Sequence, residues 1–273
     1  MGELSGLALR MNPWRPSPLL YTSAAVHAGA AAWALLRPQT WPWALALVAV
    51  NHAVIAGAGL WPRSTLLGSN WTRLPGAGGK AVAITIDDGP DPEVTPQVLS
   101  LLERTGAQAT FFCIGERVQR HAELAREIVA RGHTIENHSQ RHCHNFSLLG
   151  YSRMRDEIVR AQDSIESVTG ERPRFFRAPA GLRNPFLDPV LTHLGLQLAS
   201  WTRRGFDTVN ADAASVYRRL ADPLAAGDIL LLHDGNAARD RSGAPVILAV
   251  LERLLETLEL RALRAVTLRS ALN

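Results

Sequence analysis

Two long apolar blocks open the chain, and shorter apolar runs separated by amphipathic stretches follow them. Residues 19–36 and residues 41–60 contain no Asp, Glu, Lys or Arg. A helix needs about 20 apolar residues to cross the roughly 30 Å hydrocarbon core of a bilayer, so each block is about long enough. Tryptophans near the block ends suit the membrane–water interface. The pattern therefore predicts two transmembrane helices, 19–36 and 41–60, joined in a hairpin.

The polar residues inside the blocks leave a second interpretation open. Both blocks are rich in alanine, and they contain His27, Asn51 and His52. A soluble or interfacial hairpin packed on the next domain would also tolerate these residues. A cleaved signal peptide is disfavoured, because no convincing small-residue cleavage site follows the first block.

Positive charges give an expected membrane orientation. Arg10 and Arg15 precede the hairpin and three basic residues follow it, while the connecting turn carries only Arg37. By the positive-inside rule, both ends of the hairpin lie on the cytoplasmic side. We therefore expect a multi-pass inner-membrane protein whose domain after the hairpin lies in the cytoplasm.

Strand and helix patterns alternate after residue 80. The apolar runs that predict strands are 81–87, 109–114, 133–137, 174–178, 196–201, 228–232 and 264–268. Apolar positions at three- and four-residue spacing within 118–129 predict a helix, and glycines at 106, 132, 170, 195 and 227 suit helix C-caps. Repeated strand–helix units predict an α/β fold, a distorted (β/α) barrel of about seven strands. The expected division is a membrane-associated hairpin (1–61), a linker (62–80) and an α/β domain (81–273).

Composition excludes some functions. The net charge is +4, Lys80 is the only lysine, and no basic run is interleaved with aromatic residues, so nucleic-acid binding is not expected. The modest positive charge favours a membrane lipid as partner. Cys113 and Cys143 form no CxxC motif or disulfide framework.

The predicted strands end in polar residues that could form one site. Asp87 and Asp88 end the first strand, where two adjacent buried carboxylates need a cation or hydrogen bonds. A helix cap or turn is the alternative interpretation of the Asp-Asp-Gly sequence. His138 and His142 follow the third strand, and histidines four apart on a helix or helical turn suit one metal ion.

Two further strand ends carry chemically useful residues. Arg177 could hold a carboxylate by bidentate hydrogen bonds, and a structural ion pair is its alternative role. His233 ends a four-residue aliphatic run, where it could transfer a proton or be a core histidine with satisfied hydrogen bonds.

Four short sequences carry a family resemblance. TIDDGP (85–90), HSQRH (138–142), RAPAG (177–181) and ILLLH (229–233), in this order and spacing, resemble the motif set of the polysaccharide deacetylases, carbohydrate esterase family four. The resemblance covers about residues 80–270 and does not explain the hairpin.

The resemblance implies roles for individual residues. Asp87 would be the catalytic base and Arg177 would orient it. Asp88, His138 and His142 would bind a divalent metal, usually zinc, with cobalt, nickel or iron(II) as alternatives.

His233 would be the general acid. The fourth family motif usually has two aspartates followed by tryptophan; Arg204 and Thr208 replace two of these residues, which leaves Asp207 as the expected partner of His233.

The expected activity is metal-dependent hydrolysis of an N-acetyl group from an amino sugar of a membrane-proximal glycan or glycolipid. Alternatives are a deformylase or deacetylase of a polyprenyl-linked sugar and an inactive carbohydrate-binding protein on the same fold. A phosphotransferase is disfavoured, because Asp-Asp-Gly lacks the second acid of a DxD motif. The sequence does not identify a protein partner.

Overall fold

The chain after residue 80 is built on a curled parallel sheet, as predicted. The structure, a computed structural model, describes residues 13–76 and 79–272, so Arg10 lies outside the described residues. All pairings between named strands are parallel, and the strand order is β5-β4-β3-β2-β1-β7-β6, with β8 paired to the start of β1. The strands are β1 (Ala81–Asp87), β2 (Ala109–Cys113), β3 (Thr134–Asn137), β4 (Phe175–Phe176), β5 (Gln197–Leu198), β6 (Arg203–Arg204), β7 (Ile229–His233) and β8 (Arg264–Ala265).

Strand β1 lies at the centre of the sheet and sets the position of the site. Its residues 82–87 are all buried, with β2 on one side and β7 on the other. In this register Asp87 pairs with Phe112 of β2 and with His233 of β7. Parallel strands bring their carboxyl ends to one edge, so the polar residues at these ends gather there.

Two helices, α1 (Pro18–Leu36) and α2 (Trp41–Leu60), precede the sheet. The helices found among the strands are α3 (Thr95–Thr105), α4 (Gly115–Arg120), α5 (Ala122–Ala130), α6 (Tyr151–Thr169), α7 (Leu187–Leu194), α8 (Ala213–Ala221) and α9 (Val246–Leu260). Gly106, Gly170 and Gly195 cap α3, α6 and α7 in the left-handed conformation, as predicted. Gly132 and Gly227 also have positive φ but are not C-cap residues.

Three details differ from the sequence-based expectations. The single helix expected over 118–129 is broken at His121 into α4 and α5. Strands β4, β5 and β8 are two residues long, shorter than the apolar runs around them. Strand β6 was not predicted, because Arg203–Arg204 carries no apolar run.

Helices α1 and α2 form the expected hydrophobic hairpin. Their buried residues are small or polar (Ser23, Ala30, Ala44, Asn51, Ala58 and Gly59). The Asn51 side-chain amide donates a 2.8 Å hydrogen bond to Ser23 Oγ between the helices. Large apolar side chains point outward instead, as shown by Trp43, which is 70% exposed.

Residues 71–74, which we call the seam segment, join two parts of the sheet. Trp71 N–H donates to Leu198 O, and Trp71 O accepts from Ser200 N–H, next to β5. At the other end Leu74 N–H donates to Gly227 O, just before β7. The seam segment therefore links the β5 edge of the sheet to the residues that precede β7 and helps to close the barrel.

The end of α2 also packs on the barrel. Arg183 N–H donates a 3.1 Å hydrogen bond to Gly59 O, and the Arg183 guanidinium donates to Ser64 O. Arg183 O leaves no room for a Cβ at position 59. The hairpin is therefore in direct contact with the loop that follows β4.

Candidate active site and metal centre

The two acids of the first motif lie at the carboxyl end of β1. Asp87 is the last residue of the strand, and Asp88 begins the following turn with φ of +75°. Both are buried, with relative exposures of 3% and 4%. A positive φ at a residue other than glycine is uncommon and is found disproportionately at functional sites.

Asp88, His138 and His142 have the geometry of a metal centre. Asp88 Oδ1 lies 3.3 Å from Nε2 of His138 and 3.3 Å from Nε2 of His142. Bonds of about 2.0–2.1 Å to a tetrahedral ion place neighbouring ligand atoms roughly 3.3–3.4 Å apart, so these distances fit one ion. Among the residues that the structure describes, no group forms a hydrogen bond with the buried Asp88 Oδ1. A cation would satisfy this atom.

Neighbouring groups hold the three side chains in place. His138 Nδ1 lies 2.8 Å from Arg177 O, so this nitrogen carries the proton and Nε2 presents its lone pair to the centre. The Asn236 side-chain amide donates a 2.8 Å hydrogen bond to Asp88 Oδ2.

The expected helix or helical turn for the histidine pair is wrong. Residues 138–142 form a turn in which Ser139 and His142 have positive φ. Ser139 N–H donates to Asn137 Oδ1 and His142 N–H donates to Ser139 Oγ, which stabilises the turn. Contacts with the rest of the fold, rather than helical spacing, bring the two imidazoles together.

The electrostatics also fit a cation. Burial raises the pKa of Asp88, but the close approach and charge of His138, followed by the charges of His233 and His142, outweigh burial and leave this pKa well below its usual range. Burial, reinforced by the charge of His138, lowers the pKa of His142 to about 4. The site therefore offers an anionic carboxylate and, at His142, a neutral imidazole at neutral pH.

Arg177 holds Asp87 from beneath the site. Its Nη1 donates to Asp87 Oδ1 at 2.6 Å and to Thr85 Oγ1 at 2.8 Å. Its other N–H groups donate to the carbonyls of Ala199 and Ser200, so the expected bidentate pairing is wrong. Burial lowers the pKa of Arg177 despite the opposing charge of Asp87.

His233 and Asp207 form a second pair across the cavity. His233 Nδ1 lies 2.9 Å from Asp207 Oδ1, and the backbone N–H of His233 donates to Asp207 Oδ2 at 2.7 Å. Burial lowers the pKa of His233, but the hydrogen bond and charge of Asp207 outweigh it, so the net pKa is raised. A protonated imidazole suits proton donation.

All seven residues singled out in the sequence therefore lie in one region. A cavity of about 200 Å³ is lined by Asp87, Asp88, His138, His142 and His233, while Arg177 and Asp207 support it from behind. Both substituted positions of the fourth motif, Arg204 and Thr208, also line the cavity.

Sequence reasoning missed three supporting residues. Asn236 follows His233 by three positions, so inspection of the whole strand exit could have found it. Thr85 lies within a quoted motif, but its contact with Arg177 follows from the fold. Arg117, which donates to the carbonyls of Asp88 and Gly235, comes from a helix with no recognisable signal.

Comparison with known proteins finds one family and relatives that share its activity. A family model described as polysaccharide deacetylase matches residues 75–199. The chain is 36% identical over 196 residues to a peptidoglycan-N-acetylglucosamine deacetylase of Bacillus cereus, covering 71% of this chain and 89% of that protein. It is 34% identical over 200 residues to a chitooligosaccharide deacetylase of Sinorhizobium fredii, covering 67% and 87%.

Solved structures show the same fold. A family 4 carbohydrate esterase from Streptomyces lividans, in complex with acetate, aligns with a TM-score of 0.62 at 31% identity, covering 68% of this chain and 92% of that chain. A family 4 pseudoenzyme from Bacillus anthracis aligns with a TM-score of 0.67 at 21% identity, covering 75% and 69%, and shows the fold alone. The chain belongs to the polysaccharide deacetylase family, whose members are amide hydrolases that act on N-acetyl groups of sugars.

Proposed function

We propose that this protein removes an N-acetyl group from an amino sugar of a membrane-proximal glycan or glycolipid. The observation that carries the proposal is the buried Asp88 Oδ1, which accepts no hydrogen bond from the described residues and lies 3.3 Å from two imidazole nitrogens. Asp87 and His233 line the same cavity and provide groups for proton transfer. The similarity to N-acetylglucosamine and chitooligosaccharide deacetylases supports this substrate class.

Asp88, His138 and His142 would hold the metal, which we propose to be zinc. A divalent cation bound there would polarise the acyl carbonyl and lower the pKa of a water molecule from about 15.7 toward roughly 7–9. The remaining steps use groups of the chain itself.

Asp87 is the proposed general base. Arg177 fixes one carboxylate oxygen of Asp87 at 2.6 Å, while Oδ2 lies 3.8 Å from His138 Nε2 on the side of the metal site. That oxygen is placed to accept a proton from the attacking water, whose oxygen bonds to the acyl carbon.

His233 is the proposed general acid. Asp207 keeps the proton on Nδ1, so a protonated His233 can donate its Nε2 proton to the departing nitrogen. The C–N bond breaks, and the products are acetate and a free amine. Steps of this kind contribute typically about 10²–10⁴-fold each.

The position of the hairpin supports a substrate near the bilayer. Gly181 lines the cavity with φ of +73°, and a Cβ there would lie 2.6 Å from Trp201 and 2.8 Å from Pro62, just after α2. Only glycine fits between the hairpin end and the cavity wall. A sugar presented at the membrane surface would thus be close to the site.

The outward apolar surface of the hairpin supports membrane insertion. Both helices are long and apolar enough to span, with only 11% and 22% of their most apolar windows buried in the protein. A helix that is apolar all round is normally covered by protein or by lipid, and here little protein covers it. We propose that residues 1–61 form a membrane hairpin of an inner-membrane, multi-pass protein, with linker 62–80 and catalytic domain 81–273 on the cytoplasmic side.

A topology measurement separates this orientation from its reverse. Single reporter fusions after residue 61 and in the 37–40 turn should report opposite sides of the membrane, with the turn on the periplasmic side. A fusion after residue 61 that reports the periplasm would contradict the orientation. It would favour cell-wall glycan over a lipid-linked sugar as substrate.

Product analysis tests the activity. The purified full-length protein, loaded with zinc, is incubated separately with N-acetylated glycan and with a lipid-linked N-acylated sugar pool. We expect acetate release that is abolished in Asp87→Asn. Formate release from the lipid-linked pool would identify a deformylase instead, and release of neither acid with zinc bound would contradict the deacylase proposal.

A further inference from the structure

Arg204 is a cation in the cavity without a partner of its own. Among residues 13–76 and 79–272, no carboxylate lies within salt-bridge distance of its guanidinium, and its buried Nε has no hydrogen-bond partner. A guanidinium has five N–H donors, and leaving buried donors unpaired costs free energy. In the described part of the chain, the guanidinium is therefore not held by the ion pairs or hydrogen bonds that usually fix a structural arginine.

The neighbouring Arg203, on the same strand, has the hydrogen-bond partners that Arg204 lacks among the described residues. Its Nε donates to Asp228 Oδ2 at 2.8 Å, and its Nη1 donates to Asp222 O. Successive strand residues point to opposite faces, so Arg204 points away from these partners and lines the cavity.

Two aromatic rings hold the Arg204 guanidinium in place. Its Cζ lies 5.4 Å from the centre of the Trp201 ring and 5.0 Å from that of the Phe206 ring. Both distances are within the range of cation–π attraction, about 6 Å. The rings orient the group but leave its hydrogen-bond donors free.

The carboxylates of the site do not neutralise Arg204, because each is already engaged. Asp87 is bound by Arg177 and Asp207 by His233. Asp88 faces the two histidines of the metal centre and the Asn236 amide. In the described part of the chain, no acid of the cavity therefore forms an ion pair with Arg204, whose positive charge lies oriented at the cavity wall.

We propose that Arg204 selects substrates by an anionic group, a carboxylate or a phosphate, on or next to the N-acylated sugar. The proposal rests on the proposed function and names a feature of its substrate. Planar guanidinium groups bind carboxylate and phosphate through paired, charge-assisted hydrogen bonds. A hydrogen bond to a charged group favours binding by roughly 10- to 100-fold.

The test measures binding rather than turnover. Zinc-loaded full-length protein carrying Asp87→Asn, which should not hydrolyse the probes, is titrated calorimetrically with three compounds: methyl N-acetylglucosaminide (neutral), N-acetylmuramic acid (carboxylate) and N-acetylglucosamine 1-phosphate (phosphate). We expect at least one anionic probe to bind about 10-fold or more tightly than the neutral probe. The preference between the two anions identifies which group Arg204 recognises.

Two further variants test whether Arg204 causes the preference for anionic probes. Arg204→Gln should reduce the ratio of anionic to neutral affinity to about one, with zinc affinity unchanged as the sign of an intact site. Arg219→Gln is the matched control: it removes an exposed arginine that stacks 5.5 Å from the same Phe206 ring, and it should keep the preference.

Equal binding of the three probes, or a preference that survives Arg204→Gln, would overturn the proposal. The second result would mean that the anion binds to the zinc ion instead. Failure of acetate release in the wild-type protein, with the anion preference intact, would refute only the deacylase activity.

Discussion

At the scale of single residues, the site separates two adjacent carboxylates into different environments. Asp87 faces a buried arginine, whereas Asp88 faces two histidines and an amide. Asp88, which has a positive φ, presents its carboxylate to the two histidines, whereas that of Asp87 is bound by Arg177. Neighbours in sequence can thus serve different functions because their partners come from different strands.

We expect Asp88→Asn to weaken zinc binding by at least about 100-fold. The substitution replaces the anionic ligand by a neutral amide, and even changes to groups outside the first ligand shell typically cost about 10- to 100-fold. Calorimetric zinc titration measures the effect. Asp156→Asn, which alters an exposed aspartate far along the chain, is the control; near-identical affinities of both variants would contradict the ligand set.

Asp207→Asn should change the pH dependence of the reaction. Asp207 raises the pKa of His233, and the protonated imidazole is the proposed acid, so activity falls as pH rises through this pKa. Removing the carboxylate lowers the pKa and moves the alkaline limb of the pH–kcat profile to lower pH. We also expect kcat to fall by about 10²-fold or more.

The pair of His233 and Asp207 should also stabilise the folded protein, and this stabilisation should be lost as pH rises, as the activity is. Because the folded-state pKa of His233 is raised, the contribution is fully present below the unfolded-state value of about 6.5 and is lost as pH rises through the folded-state pKa. Thermal unfolding across this range would show a smaller pH dependence in Asp207→Asn. An unchanged alkaline limb and an unchanged melting profile would contradict the role of Asp207.

At the scale of elements, the sequence predicted the parts of the site that lie directly at strand ends. β1 and β7 are continuous apolar runs that end in Asp87 and His233, so their position follows from the pattern. β6 has no such run, and its place beside β7 depends on tertiary pairing. The turn at 138–142 depends on positive φ values at Ser139 and His142, which spacing alone cannot indicate.

The contact between α2 and the barrel can be tested with two glycines of one helix. Position 59 has no space for a Cβ because Arg183 O lies against it, whereas a Cβ at position 57 would meet nothing within 4 Å. Gly59→Ala should therefore lower the melting temperature in detergent and reduce activity on membrane-bound substrate. Gly57→Ala should be neutral or slightly stabilising, by up to about 1 kcal/mol.

Equal behaviour of the two glycine variants would show that the hairpin does not pack on the barrel as described. A loss of activity in Gly59→Ala on membrane-bound but not on soluble substrate would assign the contact to substrate presentation. A loss on both would assign it to the stability of the β4 loop.

At the scale of the whole molecule, the barrel extends beyond the segment that the family model matches. The match begins at residue 75, but the seam segment at 71–74 makes backbone hydrogen bonds with β5 and with Gly227, two residues before β7. Trp71 also packs edge-to-face on Phe175, with ring centres 5.0 Å apart. The family boundary therefore lies inside the fold.

We expect a chain that begins at residue 62 to fold and one that begins at residue 75 to be markedly less stable. The shorter chain loses the seam hydrogen bonds and exposes buried apolar surface around Phe175 and Trp201. Far-UV circular dichroism and thermal unfolding compare the two. Equal melting temperatures would show that the seam segment is dispensable.

The seam segment limits how far the catalytic cavity can move away from the hairpin. Because the chain is integrated into the barrel wall directly after the hairpin, the catalytic cavity is not carried on a long tether that could sweep through the surrounding volume. In the proposed membrane orientation, its height above the bilayer is fixed by the fold. Such an enzyme would discriminate among amides by how far each stands from the lipid surface, in addition to the chemistry of the sugar that carries it.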